Sequence, residues 1–119
     1  MSTSTLMLAI AVLVILAFVW RSVVGGGANS KIVRDKIKAG ALVVDVRTPG
    51  EFASGAYPGA TNIPLSDVGK RLAEFGDRKR TIIVYCRSGN RSGQAKAILE
   101  KNGFADVTNG GGLARMPAR

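Results

Sequence analysis

One cysteine and no histidine occur in this chain. The cysteine, Cys86, stands where the apolar run "TIIVYC" gives way to "RSGNRSG". Free cysteine is among the most buried residue types, so a lone one ending a buried strand can be inert core. The residues after it point to chemistry. A loop that leaves a strand and opens a helix brings backbone N–H groups to one point, where the helix N-terminus adds partial positive charge. A thiolate there is stabilised, and Arg87 and Arg91 strengthen the field, so Cys86 is expected to ionise below the free-thiol value of about 8.5 and to act as a nucleophile. Gly89 permits tight curvature, and Ser88, Asn90 and Ser92 can donate hydrogen bonds. Residues 87–92 are therefore the candidate substrate-binding loop, and the same field would hold an anionic substrate. For Arg87 and Arg91 the alternative is an ordinary solvated surface charge.

The absent residue types narrow the reaction. Without histidine there is no Cys–His pair and no cysteine-protease chemistry. One cysteine cannot form an internal disulfide, and the usual zinc or iron–sulfur ligand sets cannot be assembled, so no metal or other cofactor is expected. What remains is chemistry that needs an activated thiolate and no strong base, such as sulfur or phosphoryl transfer.

The elements that must position Cys86 read as alternating helices and strands. Asn29 or Ser30 caps a helix in "KIVRDKIKAG", with Ile32, Val33 and Ile37 on one face and Gly40 at the stop. "ALVVDV" is a strand buried on both faces. In "RTPGEF", Thr48 is the cap, Pro49 opens the helix and Glu51 closes a capping box. "TNIP" is a second, brief extended segment. Ser66 can cap "DVGKRLAEFG", with Val68, Leu72 and Phe75 on one stripe. "TIIVYC" is the clearest strand, Ala95, Ile98 and Leu99 follow helical spacing up to Gly103, and "ADVTN" is a last short strand. This alternation predicts an α/β fold with a parallel sheet and helices on both faces.

The N-terminus is different. All 25 charges, 17 Lys and Arg against eight Asp and Glu, lie from Arg21 onward. "LMLAIAVLVILAFVW" before it is apolar throughout. With Trp20 at the interface and Arg21 snorkelling, residues 1–24 are expected to form one transmembrane helix. A cleavable signal peptide competes, given the small residues Gly26, Gly27 and Ala28, but lacks the usual leading positive charge. Residues 25–30 form a Gly-rich linker, and 31–119 the folded domain. Arg21, Lys31, Arg34, Lys36 and Lys38 follow the apolar stretch, so the domain is expected on the cytoplasmic side of a single-pass membrane protein, or in the periplasm or outside the cell if the segment is cleaved. The net charge of +9 does not indicate a nucleic-acid partner, because the basic residues are scattered and aromatics few. It suits contact with anionic lipid.

Three separated blocks carry a family resemblance. "VVDVRTPGEFASGAYPGATNIPL", "VYCRSGNRSGQAKAILEKNGF" and "VTNGGG" together resemble the rhodanese family of sulfurtransferases over residues 31–113. The resemblance implies a three-layer α/β/α domain with a four- to five-stranded parallel sheet, and Cys86 as a nucleophile that takes sulfane sulfur from a small anionic donor such as thiosulfate. The resulting persulfide passes its sulfur to cyanide, a thiol or a partner protein. Asp45 and Arg47 match the family's structural block. On physical grounds Arg47 is expected to pair with Glu51 one turn on, and Asp45 to hydrogen-bond nearby backbone. The related phosphatases need an arginine six positions after the cysteine. Position 92 is serine and Arg91 comes at five, the shorter loop that goes with sulfur transfer. Ala56 stands where many members have histidine, and the end at "GGLARMPAR" implies that the last helix is short or absent, with the site more open there. A rhodanese-like binding or sulfur- and redox-sensing module, without rapid turnover, is the competing reading.

Overall fold

Valine and isoleucine runs build the sheet. In the computed structural model, which describes residues 2–24 and 28–119, β1 (Leu42–Asp45), β2 (Thr61–Asn62), β3 (Thr81–Cys86) and β4 (Asp106–Gly112) form one four-stranded parallel sheet in the order β2-β1-β3-β4. The helices are α1 (Thr3–Val24), α2 (Ser30–Lys38), α3 (Pro49–Ala53), α4 (Leu65–Val68) and α5 (Asn90–Lys101), with 3₁₀ turns at Leu72–Phe75 and Leu113–Arg115. The sheet has four strands, the lower of the two expected counts. β3 is central, paired with β1 on one side and β4 on the other.

Side chains alternate along a strand, and that parity makes the three layers. From β3, Ile82, Val84 and Cys86 join Val44, Val46, Ile63, Val68, Phe75, Ala95 and Leu99 in the core under α4 and α5. Ile83 and Tyr85 face the other way, into a smaller core with Val33 of α2, Val43 and Tyr57. The parity of β3 thus sends the Cys86 sulfur toward the start of α5 and the Tyr85 ring to the opposite layer. α2 is tied across the sheet by Lys36, whose Nζ donates to Asp106 Oδ1 at 2.7 Å and to Thr108 Oγ1 at 2.8 Å.

Local signals worked where they were self-contained. Asn29 caps α2 by accepting from the Lys31 N–H at 2.8 Å. Thr48, Pro49 and Glu51 form the expected capping box on α3. Other readings differ. Ile32 is half exposed, because Val33 and Ile37, four apart, define the packed face and Ile32 lies one step off it. Ser66 is not a cap: α4 starts one residue earlier, after the extended Pro64, and stops at Gly69. Leu65 N–H bonds the Val46 carbonyl, which fixes the entry, and the chain resumes as a 3₁₀ turn that still buries Phe75.

β4 runs on past "ADVTN" through the glycines. Its register shifts between Val84 and Tyr85, which pair with Asn109 and Gly111, so Gly110 is the extra residue of a bulge. A Cβ on Gly110 would meet Met116 Sδ at 2.8 Å, and one on Gly112 would collide with the Arg87 carbonyl. The glycines let β4 lie against the loop that follows β3.

At the N-terminus, the side chains described along α1 cover residues 3–17, a rise of about 22 Å against the ~30 Å of a bilayer core. Among the described residues no helix is long and apolar enough to cross a membrane. The expected transmembrane helix is therefore not found there. The span depended on Trp20, Arg21, Val23 and Val24, whose side chains lie outside the described residues, as do Gly25–Gly27 of the expected linker.

The Gly112 contact gives a test of the fold. Gly112 has an ordinary extended backbone, φ −86 and ψ 155, so Gly112→Ala carries no backbone strain and acts only through the collision with Arg87. It should destabilise the chain by about 1–3 kcal/mol in urea unfolding. A variant as stable as the parent would show that the loop yields freely.

Candidate active site around Cys86

The loop after β3 closes over the sulfur. Cys86 is 1% exposed. Gly89, in the left-handed region at φ +95, turns the chain into α5 and points its N–H at Cys86 Sγ, 3.0 Å away. Ser92, in the first turn of α5, puts its Oγ 3.3 Å from the same sulfur. Burial pushes the Cys86 pKa up. The backbone N–H groups of Ser92, Ser88 and Gly89 pull it down, as does the Ser92 side chain when its hydroxyl points at the sulfur, and the net result lies below the ordinary thiol value.

The loop's other members divide. Ser88 acts through its backbone, while the Asn90 side chain is exposed. Arg87 is exposed and borders an open groove of about 820 Å³, with Arg47, Gly50, Glu51, Ser54, Gly55, Leu113 and Ala114 around it. The sulfur lies beside this groove, under the loop, and is not part of its lining. A 3₁₀ turn follows the glycine run, and Leu113 and Ala114 flank the groove there.

Charge pairing is the point at which the structure corrects the sequence. Arg47 does not pair with Glu51. Its Nη2 donates to Asp45 Oδ2 at 2.6 Å and its Nε to both carboxylate oxygens at 3.0 Å. Asp45 also accepts from the Arg47 backbone N–H at 2.8 Å, as expected, and from the Tyr85 hydroxyl at 2.8 Å. β1 and β3 are in register with Asp45 beside Tyr85, so this carboxylate is buried on the α2 side of the sheet. The nearest cation able to neutralise it is the arginine two residues on. Removing one member of such a buried pair typically costs about 3–5 kcal/mol. The ion pair raises the Arg47 pKa, and burial with the Asp45 contact pushes Tyr85 up to about 12.

Glu51 instead holds Arg91. The two form a bidentate pair, 2.7 and 2.9 Å, between α3 and the start of α5. Arg91 is thereby committed to Glu51 and braces the loop, while its charge still couples to that of Cys86. The Arg91 contact, with help from the Thr48 backbone, lowers the Glu51 pKa to about 2.

Two residues of the site were not singled out in the sequence. Asn62 Nδ2 donates to the carbonyls of Asp45 and Arg47, both at 3.0 Å, and locks the turn after β1. Asn109 on β4 accepts from Ser92 Oγ at 2.7 Å and donates to the Gly89 carbonyl at 3.0 Å. Both lie within the conspicuous "ATNIP" and "VTNGGG" blocks. Only three-dimensional proximity shows what each holds.

Comparison with known proteins decides the family. The rhodanese-like domain family matches residues 29–113. The chain belongs to the rhodanese-like domain family. The thiosulfate sulfurtransferase PspE of Escherichia coli is 45% identical over 71 residues, 59% of this chain and 68% of that protein. A sulfurtransferase of Allochromatium vinosum is 43% identical over 68 residues, and the match spans 63% of its length. Among solved structures, a rhodanese with anions from E. coli is 42% identical with a TM-score of 0.61, covering 65% of this chain and 94% of that one. The human single-domain sulfurtransferase TSTD1 gives 26% identity and a TM-score of 0.64, covering 71% of this chain and 87% of that one.

The rhodanese-like domain's loop brace can be titrated. Glu51 has an ordinary value of 4.5 and a folded one of about 2. A lowered carboxyl stabilises the fold above the unfolded value, and that contribution is lost as pH falls from 4.5 through about 2. The melting temperature of the parent should exceed that of Glu51→Gln at pH 6, and the gap should close across that window. A gap independent of pH would contradict the Glu51–Arg91 pairing.

Proposed function

We propose that the chain is a sulfurtransferase working through a Cys86 persulfide. The observation that carries this reading is the sulfur itself, set at the carboxyl end of the central strand with the Gly89 N–H at 3.0 Å and its pKa lowered. In an open parallel sheet this is where ligands bind. The sulfurtransferase names of its relatives support the reaction class.

With thiosulfate as donor, the Cys86 thiolate attacks the outer sulfur. The new S–S bond forms as the donor's S–S bond breaks, and sulfite leaves with the electron pair. The terminal persulfide sulfur takes over the role of anion in the loop. An acceptor thiolate, on a small molecule or a partner protein, or cyanide, then attacks that sulfur, and Cys86 departs as thiolate. Arg87 at the groove edge serves the donor's negative charge. The backbone N–H groups of Gly89, Ser88 and Ser92 steady the anion, Asn90 is available to the substrate from the loop's outer face, and Arg91 with Glu51, Asp45 and Arg47 holds the loop's shape. The alternative reading, a sulfur or oxidant sensor, uses the same thiolate without turnover.

Thiosulfate:cyanide assays on the parent and Cys86→Ser, with mass spectrometry of the protein, separate these. Sulfur transfer requires turnover and an added sulfur, about 32 Da, on Cys86, both absent in the serine variant. The added sulfur without turnover would favour the sensor, and neither would leave Cys86 as core.

We also propose that α1 attaches the domain to a membrane, with the domain on the cytoplasmic side. The helix has 22 residues, about 33 Å, and Leu6, Met7, Leu8, Ile10, Leu13 and Ile15 on it are at least half exposed. Apolar side chains on all sides of a helix call for a nonpolar surrounding. The full chain should float with liposomes and resist alkaline carbonate extraction. A chain left wholly in the aqueous fraction would refute attachment, and a mature mass beginning near Ala28 would mark a signal peptide.

A further inference from the structure

Ser92 has one hydroxyl proton and two neighbours. Asn109 Oδ1 lies 2.7 Å from its oxygen and Cys86 Sγ 3.3 Å. Which neighbour receives the proton follows from the backbone around Asn109. The Gly111 N–H, at 2.9 Å, can only donate, so the side-chain atom facing it is the amide oxygen. The Gly89 carbonyl, at 3.0 Å, can only accept, so the atom facing it is the amide nitrogen. With the amide so oriented, Asn109 Oδ1 offers Ser92 lone pairs and no hydrogen. Ser92 must donate to it. The Ser92 oxygen then presents a lone pair to Cys86 and accepts from the thiol S–H.

Ionisation reverses that need. When the thiol proton passes to water, Sγ becomes acceptor only, and a Ser92 lone pair facing it is repulsive. The hydroxyl can serve the thiolate only by leaving Asn109. We propose that Asn109 is a positioning residue for Cys86: by holding the Ser92 proton on its side-chain oxygen, it sets how readily the sulfur ionises. The register of β4 makes this possible. Asn109 pairs with Val84, so it shares the face of the sheet on which Cys86 and α5 lie, and Gly93 leaves room for its amide.

The use of this control rests on the sulfurtransferase reading, but the control itself does not. The charged groups about the loop are Arg87 and Arg91 within it, Asp45 and Arg47 past β1, and Glu51 on α3. Asp45 is committed to Arg47 and Glu51 to Arg91. None changes when Asn109 or Ser92 is replaced, so their fields cancel in a double-mutant cycle.

The cycle uses Asn109→Leu, of nearly the same shape without an acceptor, and Ser92→Ala, singly and together in the full chain. The Cys86 pKa is read from ultraviolet thiolate absorbance, with Cys86→Ser subtracted to remove tyrosine. Freed from Asn109, Ser92 should turn to the thiolate, and Asn109→Leu should lower the pKa by about one unit. In the Ser92→Ala background the same change should shift it little. A shift of equal size in both backgrounds, or a rise, would overturn the proposal and leave Asn109 as a clamp on the Gly89 carbonyl. Far-UV circular dichroism checks the fold, and Asn109→Ala replaces the leucine variant if that one is unfolded. Failure of both to fold would make Asn109 a structural residue and also overturn it. Since the titration uses no sulfur donor, a parent that transfers no sulfur would remove the sulfurtransferase reading without touching this result.

Discussion

A sulfur anion can exist inside a protein only where hydrogen-bond donors replace the water it has lost. In this chain that constraint falls on Cys86, which is almost fully buried. The donors come from one short piece of backbone, the residues between the end of β3 and the first turn of α5. Gly89 in a left-handed conformation is what lets that backbone curl around the sulfur. The rest of the site holds the curl in place.

Two braces do so from opposite sides. One is the Glu51–Arg91 pair, which links α3 to the start of α5. The other is Asn109, which grips both Gly89 and Ser92 from β4. β4 reaches the loop only because Gly110 bulges and Gly112 has no side chain to strike Arg87. Beneath β1, the Asp45–Arg47–Tyr85 cluster fixes where the chain turns toward α3, and hence where Glu51 stands. A buried carboxylate is tolerable here because each of its oxygens is satisfied.

Without histidine to take its proton, the thiol depends on its surroundings for its ionisation. Burial and hydrogen bonding work against each other on the same sulfur, and the bonds prevail. The outcome is therefore sensitive to single hydroxyl and amide orientations. Such sensitivity suits a group that, in the proposed sulfur transfer, carries negative charge both before and after it takes a sulfur atom.

Much of what depended on neighbouring residues along the chain was legible in the sequence, the Ser66 cap being an exception. The Thr48–Pro49–Glu51 capping box, the β3 strand, the Gly40 and Gly103 helix ends and the loop around Cys86 all have causes within a few residues, where backbone geometry and local hydrogen bonds decide. The spacing of five from Cys86 to Arg91 was equally plain, and so was the lack of a base. Tertiary structure decided the pairings. Glu51 was read as the partner of Arg47 because four residues on a helix are neighbours. In the fold, strand register buries Asp45 beside Tyr85, and the unsatisfied charge there claims Arg47 first. Glu51 is then left for Arg91, forty residues away in sequence. Asn109 carried no local signal for its grip on Gly89 and Ser92, which lie on the loop and on α5, and the register of β4 on β3 aims it at them. Hydrogen bonds between distant residues follow from register and parity, which a sequence implies only once the sheet is assembled.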